Sequence, residues 1–175
     1  LAEAAECPPD NSLDPAALEA AGVRVGALHF ERENVFDTSI PEEDIALFRA
    51  ANRLHRITRV ETIERQLLVE PGQPYQQRLL EESARILRAT EYLRDADLRP
   101  IACSDGAVDI EVRTRDVWSL NPGIAGGRKG GESSFGFDLE ESNLFGTGAR
   151  LAFSRRSDSE RSGNSLSYRD DHQFR

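Results

Sequence analysis

The stretch Ser134-Phe135-Gly136-Phe137-Asp138-Leu139-Glu140 alternates apolar and polar residues with a period of two. Leu151 and Phe153 repeat that period after the turn Asn143-Leu144-Phe145-Gly146-Thr147-Gly148. Successive side chains of a strand point to opposite faces, so the pattern predicts strands with one apolar face. A polar stretch then leads to Ser165-Leu166-Ser167-Tyr168-Arg169, where Leu166 and Tyr168 share a face. Residues 134–175 read as three short dyad-repeat strands, the pattern of a membrane barrel wall. Three strands leave open edges, whose backbone groups find no partner in lipid. The expectation is therefore a fragment of a longer barrel.

Upstream, strands of this period alternate with helical spacing. In Ala107 to Val117, Val108, Ile110 and Val112 alternate with Asp109, Glu111 and Arg113. Ser104-Asp105-Gly106 is a hairpin turn and closes this strand onto one from Tyr92 to Ala102. Before it, Leu79, Leu80, Ser83, Ala84 and Leu87 form one stripe of a helix over 76–89. A shorter helix is predicted over 60–68, ended by Pro71-Gly72. Ile45, Phe48, Ala51 and Leu54 or His55 place another helix ahead of it. Val23 to Phe36 reads as a strand with a bend or bulge, because its alternation is imperfect. The order is β-α-α-β-β with one added helix, an α+β module over 22–120 with a helical insertion near 38–57. Residues 1–21 read as a polar leader, with a helical turn from Pro15. Residues 121–133, rich in glycine, read as a linker.

Composition narrows the function. The 175 residues carry 31 acidic and 22 basic side chains, a net charge of −9. Lys129 is the one lysine, and the arginines are dispersed. Nucleic-acid binding draws its affinity from clustered cations, so no nucleic-acid partner is expected. No apolar run reaches the length of a spanning helix. His29, His55 and His172 have no metal-ligand spacing, and His55 reads as a packed or capping side chain. Gly126-Gly127-Arg128-Lys129-Gly130-Gly131 lacks the Gly-Lys-Ser/Thr of a phosphate loop. Glu140 and Glu141 would point to opposite faces of a strand. No catalytic site, cofactor or metal is expected. Cys7 and Cys103 are either a disulfide, in an oxidising compartment, or two unpaired thiols. The opening Leu1-Ala2-Glu3-Ala4-Ala5 fits the downstream side of a signal cleavage site or an arbitrary boundary equally well.

The run Thr58-Arg59, Ile63 to Tyr75, Leu79, Glu82-Ser83, Leu87-Arg88, Tyr92-Leu93 and Val108 to Trp118 resembles a POTRA domain. The turn Asn143-Leu144-Phe145-Gly146-Thr147-Gly148 and Tyr168-Arg169-Asp170 resemble the start of the barrel that follows it in BamA/TamA-type outer-membrane proteins. That resemblance implies a POTRA-like module in the periplasm and the first strands of a β-barrel in the bacterial outer membrane. It implies assembly or translocation of polypeptides rather than catalysis. Unfolded outer-membrane or secreted polypeptides would add as a strand to the edge formed by Asp97, Leu98, Arg99 and Ile101. A groove helix presenting Leu80, Ala84 and Leu87 would hold their side chains. Phe135, Phe137 and Leu139 would lie on the gate strand beside the barrel seam. The turn with Asn143, Leu144, Gly146 and Gly148 would sit at the outer surface. Outer-membrane lipid would contact the barrel, and a fragment would self-associate through its open edges. Trp118, at the end of the module, would close its core or the mouth of the barrel. Two other readings are a periplasmic docking module without translocation and a barrel that exports a fused hydrolase.

Overall fold

The computed structural model describes residues 6–9, 12–129 and 132–170. Its elements run α1 (Pro15–Ala20), β1 (Arg24–Glu33), α2 (Ala46–Leu54), α3 (Val60–Glu64), α4 (Gln77–Arg88), β2 (Leu93–Ser104), β3 (Ala107–Asp116), β4 (Leu120–Lys129), β5 (Glu132–Leu144), β6 (Ala149–Ser157) and β7 (Ser162–Arg169). The chain is α+β, with two separate sheets ordered β1-β3-β2 and β4-β5-β6-β7.

In the first sheet β3 is central, parallel to β1 and antiparallel to β2. The expected irregularity of β1 is present, as a register break between Val25 and Leu28. Asp105 and Gly106 both adopt positive φ, as a tight hairpin requires. Inward β3 residues Val108, Ile110 and Val112 are buried against the stripe of α4, where Leu80 and Leu87 are fully covered. Each such leucine contributes about 1.5–3 kcal/mol relative to an exposed one. The opposite face is solvated and carries ion pairs such as Arg113–Glu31 and Arg99–Glu111.

The leader is partly structural. Asp14 caps α1, with its side chain accepting from the Ala17 N–H, and Leu18 is fully buried in the core. Cys7 is joined to Cys103 at the end of β2, which ties the leader to the sheet. Leu1 to Ala5 lie outside the described residues.

The second sheet is an antiparallel meander, and here the structure corrects the sequence reading. The glycine-rich segment expected as a linker is a strand, β4. It pairs with β5 along its full length, from Leu120 opposite Glu141 to Lys129 opposite Glu132. Glycine and Pro122 weaken a strand by themselves, but β4 is an edge strand and the ladder to β5 supplies its partners. Four strands, not three, follow the first module among the described residues.

In-register partners share a face. One face of this sheet is mainly apolar: it carries Leu120, Pro122, Ile124, Phe135, Phe137, Leu139, Leu151, Phe153, Leu166 and Tyr168, with Glu141 in the row nearest the first module and Arg155, Asn164 and Arg128 towards the far end. The other carries small and polar residues, among them Gly123, Ala125, Gly127, Ser134, Gly136, Ala152, Ser154 and Ser167. Ile124, Phe135, Leu166 and Tyr168 are exposed, and none of the apolar set belongs to the core. No helix among the described residues is long and apolar enough to cross a membrane, which says nothing of strands.

Candidate functional site

The two sheets meet where β3 runs into β4 and where the β5–β6 turn folds back. β3 presents Val108, Ile110, Val112, Thr114 and Asp116 on its buried face. The last of these is a carboxylate with no solvent exposure. A buried charge must be paired or hydrogen-bonded. Asp116 Oδ2 accepts from the Thr58 backbone N–H at 2.8 Å and from the Thr58 hydroxyl at 2.9 Å. His55 Nε2 lies 2.7 Å from the same oxygen. His55 is also the C-cap residue of α2, in keeping with its reading as a packed or capping histidine. Thr114 Oγ1 and Asp116 Oδ1 make no hydrogen bond among the described residues.

The turn 143–148 docks onto this cluster. The Asn143 side-chain amide donates to Thr58 Oγ1 at 2.8 Å. The Gly146 carbonyl accepts from the Arg59 backbone N–H at 2.9 Å and from the Thr62 hydroxyl at 3.0 Å. Arg59 Nε donates to the Phe145 carbonyl at 3.0 Å. Within the turn, Asn143 Oδ1 accepts from Gly148 N–H at 2.9 Å, and Thr147 Oγ1 donates to the Leu144 carbonyl at 2.7 Å. Phe145, Gly146 and Gly148 have positive φ. A Cβ on Gly146 would lie 2.5 Å from the Ile57 carbonyl oxygen, so only glycine fits this approach. Beside it, Gly148 faces the ring of Tyr92, whose hydroxyl accepts from the Gln66 amide. Burial pushes the Tyr92 phenol up to about 12, with the Gln66 hydrogen bond acting in the opposite direction. Ser142 N–H completes the junction by donating to the Ser119 carbonyl at 3.1 Å.

Several expected site residues stand elsewhere. The motif residues Asn143, Gly146 and Gly148 sit at the junction, not at a far surface. β4 leaves the first module and β5 returns, so the turn that follows β5 is on the near side. The orientation expected for a first strand over 134–142 is reversed by the extra strand. For the same reason Phe135, Phe137 and Leu139 lie on an interior strand, paired on both sides, and form no free edge. β2 is an edge of its sheet, and Asp97 and Arg99 are exposed on it, with Ile101 at a register break after Pro100. Leu98, by contrast, is buried in the core. Leu80, Ala84 and Leu87 are also core residues, so they line no open groove. A helical stripe of this spacing is satisfied by the sheet beneath it. Trp118 is half-buried outside the core cluster, and its indole N–H donates to the Leu120 carbonyl at 2.5 Å.

The sequence reading gives Asp116 and Ser119 no role of their own, and Arg59 enters it only as part of the POTRA-like run. Asp116 carried a readable signal, because it occupies the same parity as Val108, Ile110 and Val112. An acid on an otherwise buried face implies dedicated partners.

Among solved structures, the fold is similar to BamA from Haemophilus ducreyi lacking POTRA domains 1-3. The alignment has a TM-score of 0.52 and 14% identity, covering 84% of this chain and 25% of that one. CdiB from Acinetobacter baumannii aligns over 82% of this chain and 25% of its own, at 12% identity and a TM-score of 0.45. This chain spans about a quarter of the length of each. No protein-family model matches the sequence, and no curated protein matches it.

Proposed function

We propose that this chain is a POTRA-like periplasmic module joined to the first four strands of a transmembrane β-barrel, in an outer-membrane protein that assembles or translocates polypeptides. The observation that carries the reading is the second sheet. Among the described residues its mainly apolar face has no second layer to bury it, and its other face is small and polar. A water-soluble sheet buries its apolar face in a core. A barrel turns that face to lipid and the small, polar one to the lumen. The backbone likeness to BamA and the β-α-α-β-β order support the same reading.

Lipid solvates no open backbone edge, and closure takes at least about eight strands. The reading therefore requires partner strands for β4 and β7. Under it, the junction turn is periplasmic and couples the module rigidly to the barrel. The free edge of β4, rather than β5, then borders the seam.

Client binding falls to the backbone of β2. An extended polypeptide adds to an open sheet edge through main-chain hydrogen bonds. Asp97, Arg99 and Ile101 flank that edge, and the buried Leu98 only holds it in place. A photo-crosslinking residue at Asp97 or Ile101 in the membrane-reconstituted full chain should capture an unfolded β-rich polypeptide. The same residue at His29, on β1 at the opposite edge, should not. Equal yields at both edges would sink strand addition at β2.

A further inference from the structure

The helix α2 has two faces, and only one is used for packing. Phe48 stacks on Phe36 with ring centroids 4.0 Å apart. Asn52 accepts from the Phe36 N–H at 3.1 Å and donates to its carbonyl at 2.8 Å. These two residues anchor the helix. On the far side, Leu47 and Leu54 are seven residues apart and share a stripe with Ala50 and Ala51. Leu47 is 70% exposed and Leu54 76%. Ile40 and Ile45, ahead of the helix, are exposed as well. Apart from Ile101, every exposed large apolar residue described in the first module lies in this insertion.

Arginines flank the apolar stripe. Arg49 is paired with Asp44 at 2.6 Å. Arg53 and Arg56 are exposed, and no ion pair or hydrogen bond engages them among the described residues. With Asn34, Ile57, Arg59 and Phe145 they line an open groove of about 650 Å³. Phe145 belongs to the turn at the near end of the second sheet and is 66% exposed. The end of α2 thus lies level with the end from which the strands rise.

We propose that α2 is an interfacial helix that rests on the anionic phospholipid leaflet nearest the module. Leu47 and Leu54 would enter the boundary between headgroups and acyl chains, with Phe145 beside them. Arg53 and Arg56 would bind lipid phosphates. An amphipathic helix with apolar and basic sides suits that depth, and arginine stems can extend to reach phosphate. This occupant is favoured over a protein by two observations. Free cations persist here in a chain of net charge −9. The C-terminal end of α2, with Arg53 and Arg56, also shares a groove with Phe145, at the height where a bilayer spanned by β4–β7 would have its surface. The inference rests on the barrel reading.

Leu47→Trp and Phe137→Trp, each combined with Trp118→Phe, separate the two claims. The full chain would be reconstituted in phosphatidylglycerol bilayers containing phospholipids brominated on the acyl chains just below the headgroup, or deeper. Strong quenching of the Leu47→Trp fluorescence by the shallow bromines is expected. Quenching of Phe137→Trp with none of Leu47→Trp would overturn the helix proposal and leave the barrel standing. No quenching of either would overturn both. Replacing Arg53 and Arg56 by glutamine should reduce the Leu47→Trp quenching several-fold, and undiminished quenching would remove the phosphate contact.

Discussion

The Asn143 side-chain amide donates to the Thr58 hydroxyl at 2.8 Å, linking two residues 85 positions apart. Thr58 in turn donates to the buried Asp116, so one hydroxyl serves as both acceptor and donor between the two sheets. The β5–β6 turn is therefore tied to β3 through one continuous buried chain of hydrogen bonds. In a low-dielectric setting each member is costly to leave unpaired.

Replacing Thr58 by valine keeps its shape and removes both bonds. Thermal unfolding of the detergent-solubilised full chain should show a loss of about 1–3 kcal/mol. Asn143→Ala should cost a similar amount. The double variant should lose less than the sum, by about 0.5 kcal/mol or more. Strict additivity would mean that the two residues act independently.

Gly146→Ala tests the close approach. Gly146 and Gly72 both have positive φ, but a Cβ on Gly72 would meet nothing within 4 Å. Alanine at either site carries backbone strain of about 1–3 kcal/mol. At Gly146 it also collides with the Ile57 carbonyl, so Gly146→Ala should destabilise more and loosen the turn. Faster proteolytic cleavage between the two sheets would report it. Equal costs at the two glycines would argue against tight docking.

Cys7→Ser or reduction should release the leader from β2. The bridge closes a loop across 96 positions. On the chain-entropy model its loss costs roughly 2–5 kcal/mol. A lower Tm under reducing conditions for the native chain, and no further change for Cys7→Ser, would fit. An unchanged native Tm would show that Leu18 and its neighbours hold the leader unaided.

Alkaline titration addresses the two core tyrosines. Burial, with nearby Glu19 adding to it at Tyr75, raises Tyr75 to about 12, and burial raises Tyr92 to about 12. An unfolded tyrosine ionises near 10. Because the folded values are higher, this contribution to stability is complete below pH about 10 and is lost as pH rises through about 12. Tyrosinate absorbance should therefore leave two of the three tyrosines un-ionised at pH about 11, until unfolding exposes them. Full ionisation there in the folded protein would contradict their burial.

Period and punctuation carried most of the architecture. The stripe Leu80, Ser83, Ala84, Leu87 and the alternation Val108, Ile110, Val112 are local signals, and both elements formed where they pointed. So did the hairpin at Asp105-Gly106, because positive φ is a property of those residues themselves. The period of two after Ser134 likewise placed β5, β6 and β7. Residues 120–129 had no such signal. Their glycines and proline have poor intrinsic strand propensity, and only the ladder to β5 makes them a strand. That one added strand reversed the direction of everything after it and brought the Asn143–Gly148 turn back to Thr58 and Arg59. Which apolar stripes become core and which stay exposed was also settled by packing. Leu87 and Leu54 look alike along the chain, but a sheet covers one and nothing among the described residues covers the other.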